Sequence, residues 1–472
     1  MALACFANGN RSIPLAAWLF PIFMVRFMRT QGAARALVVG WLALLVPSFV
    51  VTWPMLNLEI LSGPARLGAC VLTGLRCFLP FAVDRVLSPR VNGFLSSLVL
   101  PASWVGLEYV YALGPEGTWG GLAYTQYGQI ALLQLVSVTG IWGLTFLAAW
   151  MGGVVNWAWE RYFIWTEIRW GAMVFAGFLV LVLLLGGGRA AFQDIAAESV
   201  GVAGLTRPAH LPLSLNLSAG QETACLNSTA EQAYFLEKSV AAARSGARLV
   251  IWQEYAVWLR PEDEASFRFR AGEVAAREGI YLITAYGVYP PGGPGAPWKN
   301  RLVGYDPTGR ELCEYDKSYP SLALEPGVRP GNRRIPIFET PYGRVAAVIC
   351  TDQEHPGLLS QAGRAGVFLI LSASAAWPEV DPLHAHMASF RAIENGACLF
   401  KAAGQARSVV YDHLGQVVCR LDHEAGGGGI MPARVPIQQA WTIYPRIGDL
   451  FAWLCLLLLA VLTVGVFRRG RR

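Results

Sequence analysis

The apolar positions of this chain fall into two regimes. Up to about residue 186 they form long uninterrupted runs, each of a length that crosses a bilayer core of ~30 Å. Between Gly188 and Tyr444 the runs shorten and are broken by Asp, Glu, Lys, His and Pro. From Leu450 to Val466 one more long run appears, followed by Arg468, Arg469, Arg471 and Arg472. The pattern predicts membrane spans over 13–28, 35–53, 66–83, 92–112, 129–157 and 169–186, and a last one over 447–467. Three parts follow: a transmembrane helical domain over 1–188, a large water-soluble domain over 189–445, and a C-terminal transmembrane helix with a basic tail over 446–472.

Inside the soluble part, short β-like runs alternate with helical stretches. Strands are predicted over 213–217, 249–252, 280–288, 345–349, 367–371, 399–403 and 416–420. Helices are predicted over 261–278 and 382–395, and an amphipathic one over 228–243 with Ser228 as N-cap and Glu231 completing a capping box. Strands that are apolar on both faces imply sheets covered by helices on their outer sides. The glycine run 426–429 has no lysine or helix behind it and reads as a loop rather than a phosphate cradle.

Composition agrees with a membrane protein: 54% of residues are hydrophobic and 15% charged. The net charge of +6 is a topology signal, not a nucleic-acid patch. Arg26, Arg29 and Arg35 flank the first connection, Arg85 and Arg90 the third, Arg161 and Arg169 the fifth, and the intervening connections are arginine-poor. By the positive-inside rule these connections and the C-terminus are cytoplasmic, and the N-terminus and the soluble domain face outward. An outward-facing site meets no ATP and no acyl-coenzyme A, so an acyl donor there is a membrane lipid or an extracytoplasmic amide or ester. The nine cysteines contain no C-x-x-C pair, which argues against zinc and redox motifs. A disulfide among Cys225, Cys313, Cys398 and Cys419 is left open.

Three polar residues stand at or just past the ends of β-like runs: Glu254 after 249–252, Lys317 in Tyr315-Asp316-Lys317, and Cys350 closing 345–350. A thiol with a base and a cation points to covalent acyl chemistry. A cysteine–histidine dyad using His355, His384 or His386 is an open alternative, but His384 and His386 are two apart on a predicted helix and do not share a face for metal. Glu108 lies inside a membrane run, where a carboxylate is either functional or paired for packing.

These residues resemble the nitrilase, or carbon–nitrogen hydrolase, superfamily. The resemblance rests on Val250-Ile251-Trp252-Gln253-Glu254, on Tyr315-Asp316-Lys317 with Glu325, on Gly343-Arg344-Val345 leading to Cys350-Thr351-Asp352, and on Arg391-Ala392-Ile393-Glu394-Asn395-Gly396. It implies an α/β four-layer α-β-β-α sandwich in which Glu254 is the general base, Lys317 stabilises the oxyanion, Cys350 is the nucleophile and Glu325 supports them. The membrane part, with Pro101-Ala102-Ser103-Trp104, Glu108 and 119–126, resembles that of the apolipoprotein N-acyltransferase family. That resemblance implies a catalytic domain on the periplasmic side of a bacterial inner membrane, and a fatty acyl chain passed from a phospholipid donor, through a Cys350 thioester, to the N-terminal cysteine amine of a diacylated lipoprotein. No metal or organic cofactor is implied. The other reading is a membrane-anchored amidase hydrolysing an extracytoplasmic amide. Against the family pattern, Gln253 replaces a proline, Thr351-Asp352 replaces Tyr-Glu, and 372–377 lacks an Asn-Asp pair.

Overall fold

In a bilayer, apolar segments satisfy their backbone polar groups only as helices or closed barrels, and in the computed structural model the apolar runs of this chain are helical. The structure describes residues 1–56, 61–192, 198–208, 221–289, 297–321, 325–422 and 429–469, with backbone alone at 221–228. The chain divides into two compact units, Met1–Gln193 with Ile447–Arg472, and Asp194–Arg446.

Among the described residues of the first unit, six helices are long and apolar enough to cross a membrane: Ala33–Met55, Gly63–Arg90, Gly93–Ala112, Ile141–Trp159, Trp165–Ala191 and Leu450–Arg468. Seven were expected. The first expected span is the helix Pro14–Thr30, whose 17 residues rise only about 25 Å. The fifth expected span, 129–157, is not one helix. Its start forms the short pieces Ile130–Leu133 and Val136–Thr139, and Gly140, at φ +63°, turns the chain before Ile141–Trp159 begins. A backbone in that region favours glycine, so the break is written in the sequence although the hydropathy hides it.

Small residues bring the helices together. A Cβ on Gly153 would stand 2.2 Å from the carbonyl oxygen of Ser97, so only glycine permits this approach. The buried Arg29 guanidinium donates to both Asp84 carboxylate oxygens, at 2.9 and 2.8 Å, which ties Pro14–Thr30 to Gly63–Leu87 at their last turns. Glu108 proves to be a packing carboxylate. Its Oε1 accepts from Trp104 Nε1 at 3.2 Å and Leu122 N at 2.8 Å, and its Oε2 accepts from Thr145 Oγ1 at 2.8 Å.

The second unit is built from two sheets. The strands in chain order are β1 (Ser199–Thr206), β2 (Leu249–Trp252), β3 (Val257–Leu259), β4 (Tyr281–Val288), β5 (Lys299–Tyr305) and β6 (Glu311–Asp316). They continue with β7 (Ile337–Thr340), β8 (Gly343–Ile349), β9 (Leu369–Ser374), β10 (Cys398–Ala403), β11 (Ser408–Tyr411), β12 (Val417–Leu421) and β13 (Gly429–Pro436). One sheet runs β13-β1-β2-β4-β5-β6, with β3 also on β4, and the other runs β12-β11-β10-β9-β8-β7.

Strand alternation explains the layers. Val200, Leu249, Ile251 and Ile283 of the first sheet pack with Val345, Ala347, Leu369, Leu371 and Phe400 of the second to fill the space between the sheets. The alternate residues Val250, Trp252 and Leu282 face outward, onto Phe235 of the helix Gln221–Arg244 and onto Phe267 and Ala271 of the helix Pro261–Glu278. The helices Pro356–Ala365 and Leu383–Asn395 belong to the second sheet's outer layer. The result is the expected four-layer α-β-β-α sandwich.

Two local readings change. The first strand is Ser199–Thr206, upstream of the predicted 213–217, which lies outside the described residues, as do glycines 426–428. The helix predicted from residue 228 begins at Gln221. Ser228 is therefore inside it, and Glu231, instead of completing a cap, pairs with Arg207 at 3.2 Å. A capping preference of about 1 kcal/mol yields to a buried ion pair and a longer helix. Cys313, Cys398 and Cys419 are free thiols.

Candidate active site

Each candidate residue leaves the end of a strand. Glu254 follows β2, where the chain turns through Tyr255 at φ +52°. Lys317 follows β6, its N–H donating to Asn300 O at 2.9 Å. Cys350 follows β8 and opens a 3-10 turn, Cys350–Glu354, with its own φ at +44°. That conformation is costly for a residue with a side chain, and Asp352 enforces it. The buried Asp352 carboxylate accepts from Ser318 N at 3.0 Å and Tyr319 N at 2.8 Å on one oxygen, and from Tyr315 OH at 2.7 Å and Ile349 N at 3.3 Å on the other. Because residues 315–319 bracket Lys317, one carboxylate locks the cysteine turn to the lysine's strand end. Burial, set against these hydrogen bonds, pushes the Asp352 pKa up to about 6.

Around Lys317 the charged groups are paired. Its Nζ donates to Glu254 Oε1 at 2.8 Å and to Glu325 Oε2 at 2.6 Å. Asn300 Nδ2 bridges the same two carboxylates at 2.7 and 3.0 Å. Glu254 Oε2 accepts from Ala375 N at 2.8 Å, Glu325 Oε2 from Ser321 N at 2.9 Å, and Glu325 Oε1 from Tyr255 OH. All of these side chains are buried. Burial works against the Lys317 charge, but Glu254 and Glu325 outweigh it and hold its pKa well above the ordinary lysine range. Burial, and after it the Glu254 charge, push the Cys350 thiol up to about 12 against the pull of Lys317 and Lys401. The resting sulfur is therefore a thiol, with Ser374 Oγ donating to it at 3.4 Å. Such a site can hand the thiol proton to a carboxylate as the sulfur attacks, beside a cation that meets a developing oxyanion.

Residues 213–440 match the carbon–nitrogen hydrolase family, and residues 2–154 match the apolipoprotein N-acyltransferase N-terminal domain. The second match separates this chain from soluble members of the superfamily. Along most of its length the chain is similar to the apolipoprotein N-acyltransferase family. It is 26% identical to apolipoprotein N-acyltransferase of Geobacter metallireducens over 93% of this chain and 86% of the relative. It is 25% identical to the same-named protein of Gloeobacter violaceus over 82% of this chain and 76% of the relative. Among solved structures, an amidase from Nesterenkonia sp. aligns at 20% identity and a TM-score of 0.41, covering 52% of this chain and 94% of that one. With six helices of membrane-spanning length among the described residues and a carbon–nitrogen hydrolase domain, the chain is a multi-pass membrane enzyme with a nitrilase-like domain.

The structure brings Glu254, Lys317 and Glu325 into one hydrogen-bonded cluster and sets Cys350 within its electrostatic reach. The partners seen for two of the histidines are other than the thiol. His355 stacks on Tyr319, with ring centroids 3.5 Å apart, and His384 Nε2 lies 3.2 Å from Glu354. Asn300, Tyr255 and Ser374 were missed by the sequence reading. Asn300 sits on a strand with no motif around it, whereas Tyr255 directly follows 250–254 and Ser374 lies within 372–377, and only the facing of strands reveals what they touch. Gln253, which departs from the family proline, accepts from Arg207 N at 2.7 Å, while the Arg207 guanidinium donates to the carbonyls of Tyr255 and Ala256. The substitution thus pins the turn that carries Glu254 by hydrogen bonds instead of by a ring.

Proposed function

We propose that this enzyme moves a fatty acyl chain from a membrane phospholipid to the N-terminal cysteine amine of a diacylated lipoprotein, through a thioester on Cys350. The observation that carries the reading is the membrane half. A chain matching the N-terminal domain of this acyltransferase family tethers a Glu-Lys-Cys site to the bilayer at both ends, and both substrates are lipid-anchored.

In the first half-reaction Glu254 takes the Cys350 proton while the sulfur attacks the ester carbonyl. Lys317 Nζ and a backbone N–H of the turn after Cys350 hold the oxyanion. The carbon–oxygen bond then breaks and Glu254 returns the proton to the glycerol oxygen, releasing a lysophospholipid. In the second, the incoming amine attacks the thioester, Glu254 removes its proton, the carbon–sulfur bond breaks, and Glu254 passes that proton to the departing sulfur to restore the thiol. Glu325 keeps its hydrogen bond to Lys317 throughout, so the lysine stays charged when Glu254 is neutral.

The site lies on the extracytoplasmic face of the inner membrane in this reading. Arg161 and Arg169 flank the start of Trp165–Ala191, and Arg468 and Arg469 close the final helix. Those ends are cytoplasmic, so the opposite ends, which carry the catalytic unit, emerge outside. The orientation is the same whether or not Pro14–Thr30 crosses.

Intact-mass spectrometry of the purified enzyme with phospholipid alone is expected to reveal one fatty-acyl adduct that a diacylated lipopeptide then removes. Absence of the adduct with every phospholipid, while Cys350 still reacts with iodoacetamide, would overturn the lipid donor in favour of amide hydrolysis.

Asp352 sets the acid limb of the reaction. It holds the cysteine turn as a carboxylate, and its ionised fraction falls about tenfold per pH unit below its pKa. With that value at about 6, the adduct rate is expected to fall roughly fivefold between pH 6 and pH 5. Asp352→Asn, which cannot accept on both sides, should be slow throughout and lack this limb in a pH–rate profile.

A further inference from the structure

A second buried lysine, Lys401 on β10, lies close to the nucleophile and has no part in the chemistry above. In the second sheet β9 and β10 run parallel, with Lys401 opposite Ser372 and Ala403 opposite Ser374. Leu371, Ala373, Phe400 and Ala402 fill the space between the sheets. The alternate residues Ser372, Ser374 and Lys401 therefore share the other face, and Ser374 is the residue whose hydroxyl reaches Cys350 Sγ. Lys401 is 1% exposed, and its Nζ donates to the backbone carbonyl of His384 at 3.1 Å.

The carboxylates that face Lys401 are engaged elsewhere. Glu354, from the 3-10 turn, is taken by His384 Nε2 at 3.2 Å and Gln353 Nε2 at 3.1 Å, and Arg391 also acts on it. Asp381, before the helix Leu383–Asn395, accepts from Arg407 N at 3.3 Å and lies 3.8 Å from that guanidinium. Glu254, across the site, is held by Lys317, Asn300 and Ala375. Among the described residues Lys401 makes no ion pair within 4.0 Å. A buried cation without a carboxylate is costly, and burial lowers its pKa to about 8, with Cys350 and Glu354 acting in the opposite direction. It thus still carries its charge at neutral pH. The charge that changes within its reach is the one that appears on sulfur during the reaction.

We propose that Lys401 is a positioning residue for Cys350, a second buried cation that stabilises the thiolate from the second sheet while Lys317 acts from the first. The His384 carbonyl aims the ammonium without neutralising it. This rests on Cys350 being the nucleophile but on no particular acyl donor.

The test is iodoacetamide alkylation of the full-length enzyme in detergent, read at the Cys350 peptide by mass across pH 6 to about 10. In the unmutated chain the logarithm of the rate should rise with pH and bend downward near the pH at which Lys401 loses its proton. Lys401→Met should react about tenfold more slowly at neutral pH and without the bend. Lys401→Arg should keep the rate and also lose the bend, since its charge does not titrate there. A wild-type rate and profile in Lys401→Met would overturn the proposal. So would equal slowing in Met and Arg with the bend retained, which is the mark of a packing role. A straight wild-type profile would overturn it too, with no variant needed. Failure of Cys350 to alkylate at any pH would count against the nucleophile itself, and so against the proposed function.

Discussion

Cys350→Ala is expected to remove the acyl adduct completely and to lower acyl transfer by at least ~10⁴-fold, with the fold intact. The sulfur is the group to which the acyl chain would bond, and no neighbour can replace it. Cys313 is a free thiol on β6, and Cys398 is a buried one whose sulfur faces Pro436 O and whose pKa burial pushes up to about 12. Neither has a base and a lysine beside it, so the adduct should vanish and not move to another cysteine. The structural consequence is small. Alanine keeps the Cβ that the +44° φ at this position already tolerates, and the substitution removes only the hydrogen bond that Ser374 donates to the sulfur. A fall of about 1 kcal/mol or less in stability is expected. Intact mass, a transfer assay and a thermal melt on one preparation check all three, and a residual adduct in the alanine variant would place the thioester elsewhere.

Lys317→Met is expected to be the most damaging substitution to both chemistry and stability. In the native site one ammonium separates two buried carboxylates, Glu254 and Glu325. Removing it leaves both facing each other without compensation, which costs about 3–5 kcal/mol, and removes the oxyanion's cation, worth about 10²–10³ in rate. The pH dependence carries the signature. Burial pushes the native Glu325 up, but the charge and hydrogen bond of Lys317, with those of Tyr255 and Ser321, hold it below the usual carboxylate range. Its contribution to stability is therefore present above the unfolded glutamate pKa of ~4.3 and is lost as pH falls through the lower folded value. Without the lysine, burial and mutual repulsion raise the pair, the folded state binds a proton that the unfolded chain releases, and stability falls as pH rises through the raised value. Asp352, with its raised pKa, contributes the same pH slope to both proteins, so between about pH 4 and 7 Lys317→Met should lose stability relative to the native enzyme. Parallel slopes in the two melting series would mean that Lys317 does not bridge the carboxylates.

Much of this molecule is legible along the chain, because the forces involved act over a few residues. Long apolar runs must be helices in a bilayer, and 130–139 misled only because hydropathy does not register the turn at Gly140. The helix Pro261–Glu278 and the strands β4, β8 and β10 are marked by periodicity and by glycine and proline at their ends. Strands β5 and β13 escaped it, since their residues are mixed in polarity, and β13 pairs only with β1, far away in sequence.

The candidate site divides in the same way. That Glu254, Lys317 and Cys350 each close a β-like run is a property of the sequence, and so is the resemblance that names their roles. That Glu254 and Lys317 share a hydrogen bond across 63 positions, that Glu325 and Asn300 close the cluster, and that Asp352 ties the cysteine turn to the lysine strand were decided by two sheets packing face to face. The same packing buried Lys401 beside Cys350, a lysine with no motif around it. Local sequence determines which segments become strands and where they end. Which ends converge, and which charges are then stripped of water, depends on long-range pairing, and that is why the electrostatics of the thiol could be read only from the tertiary structure.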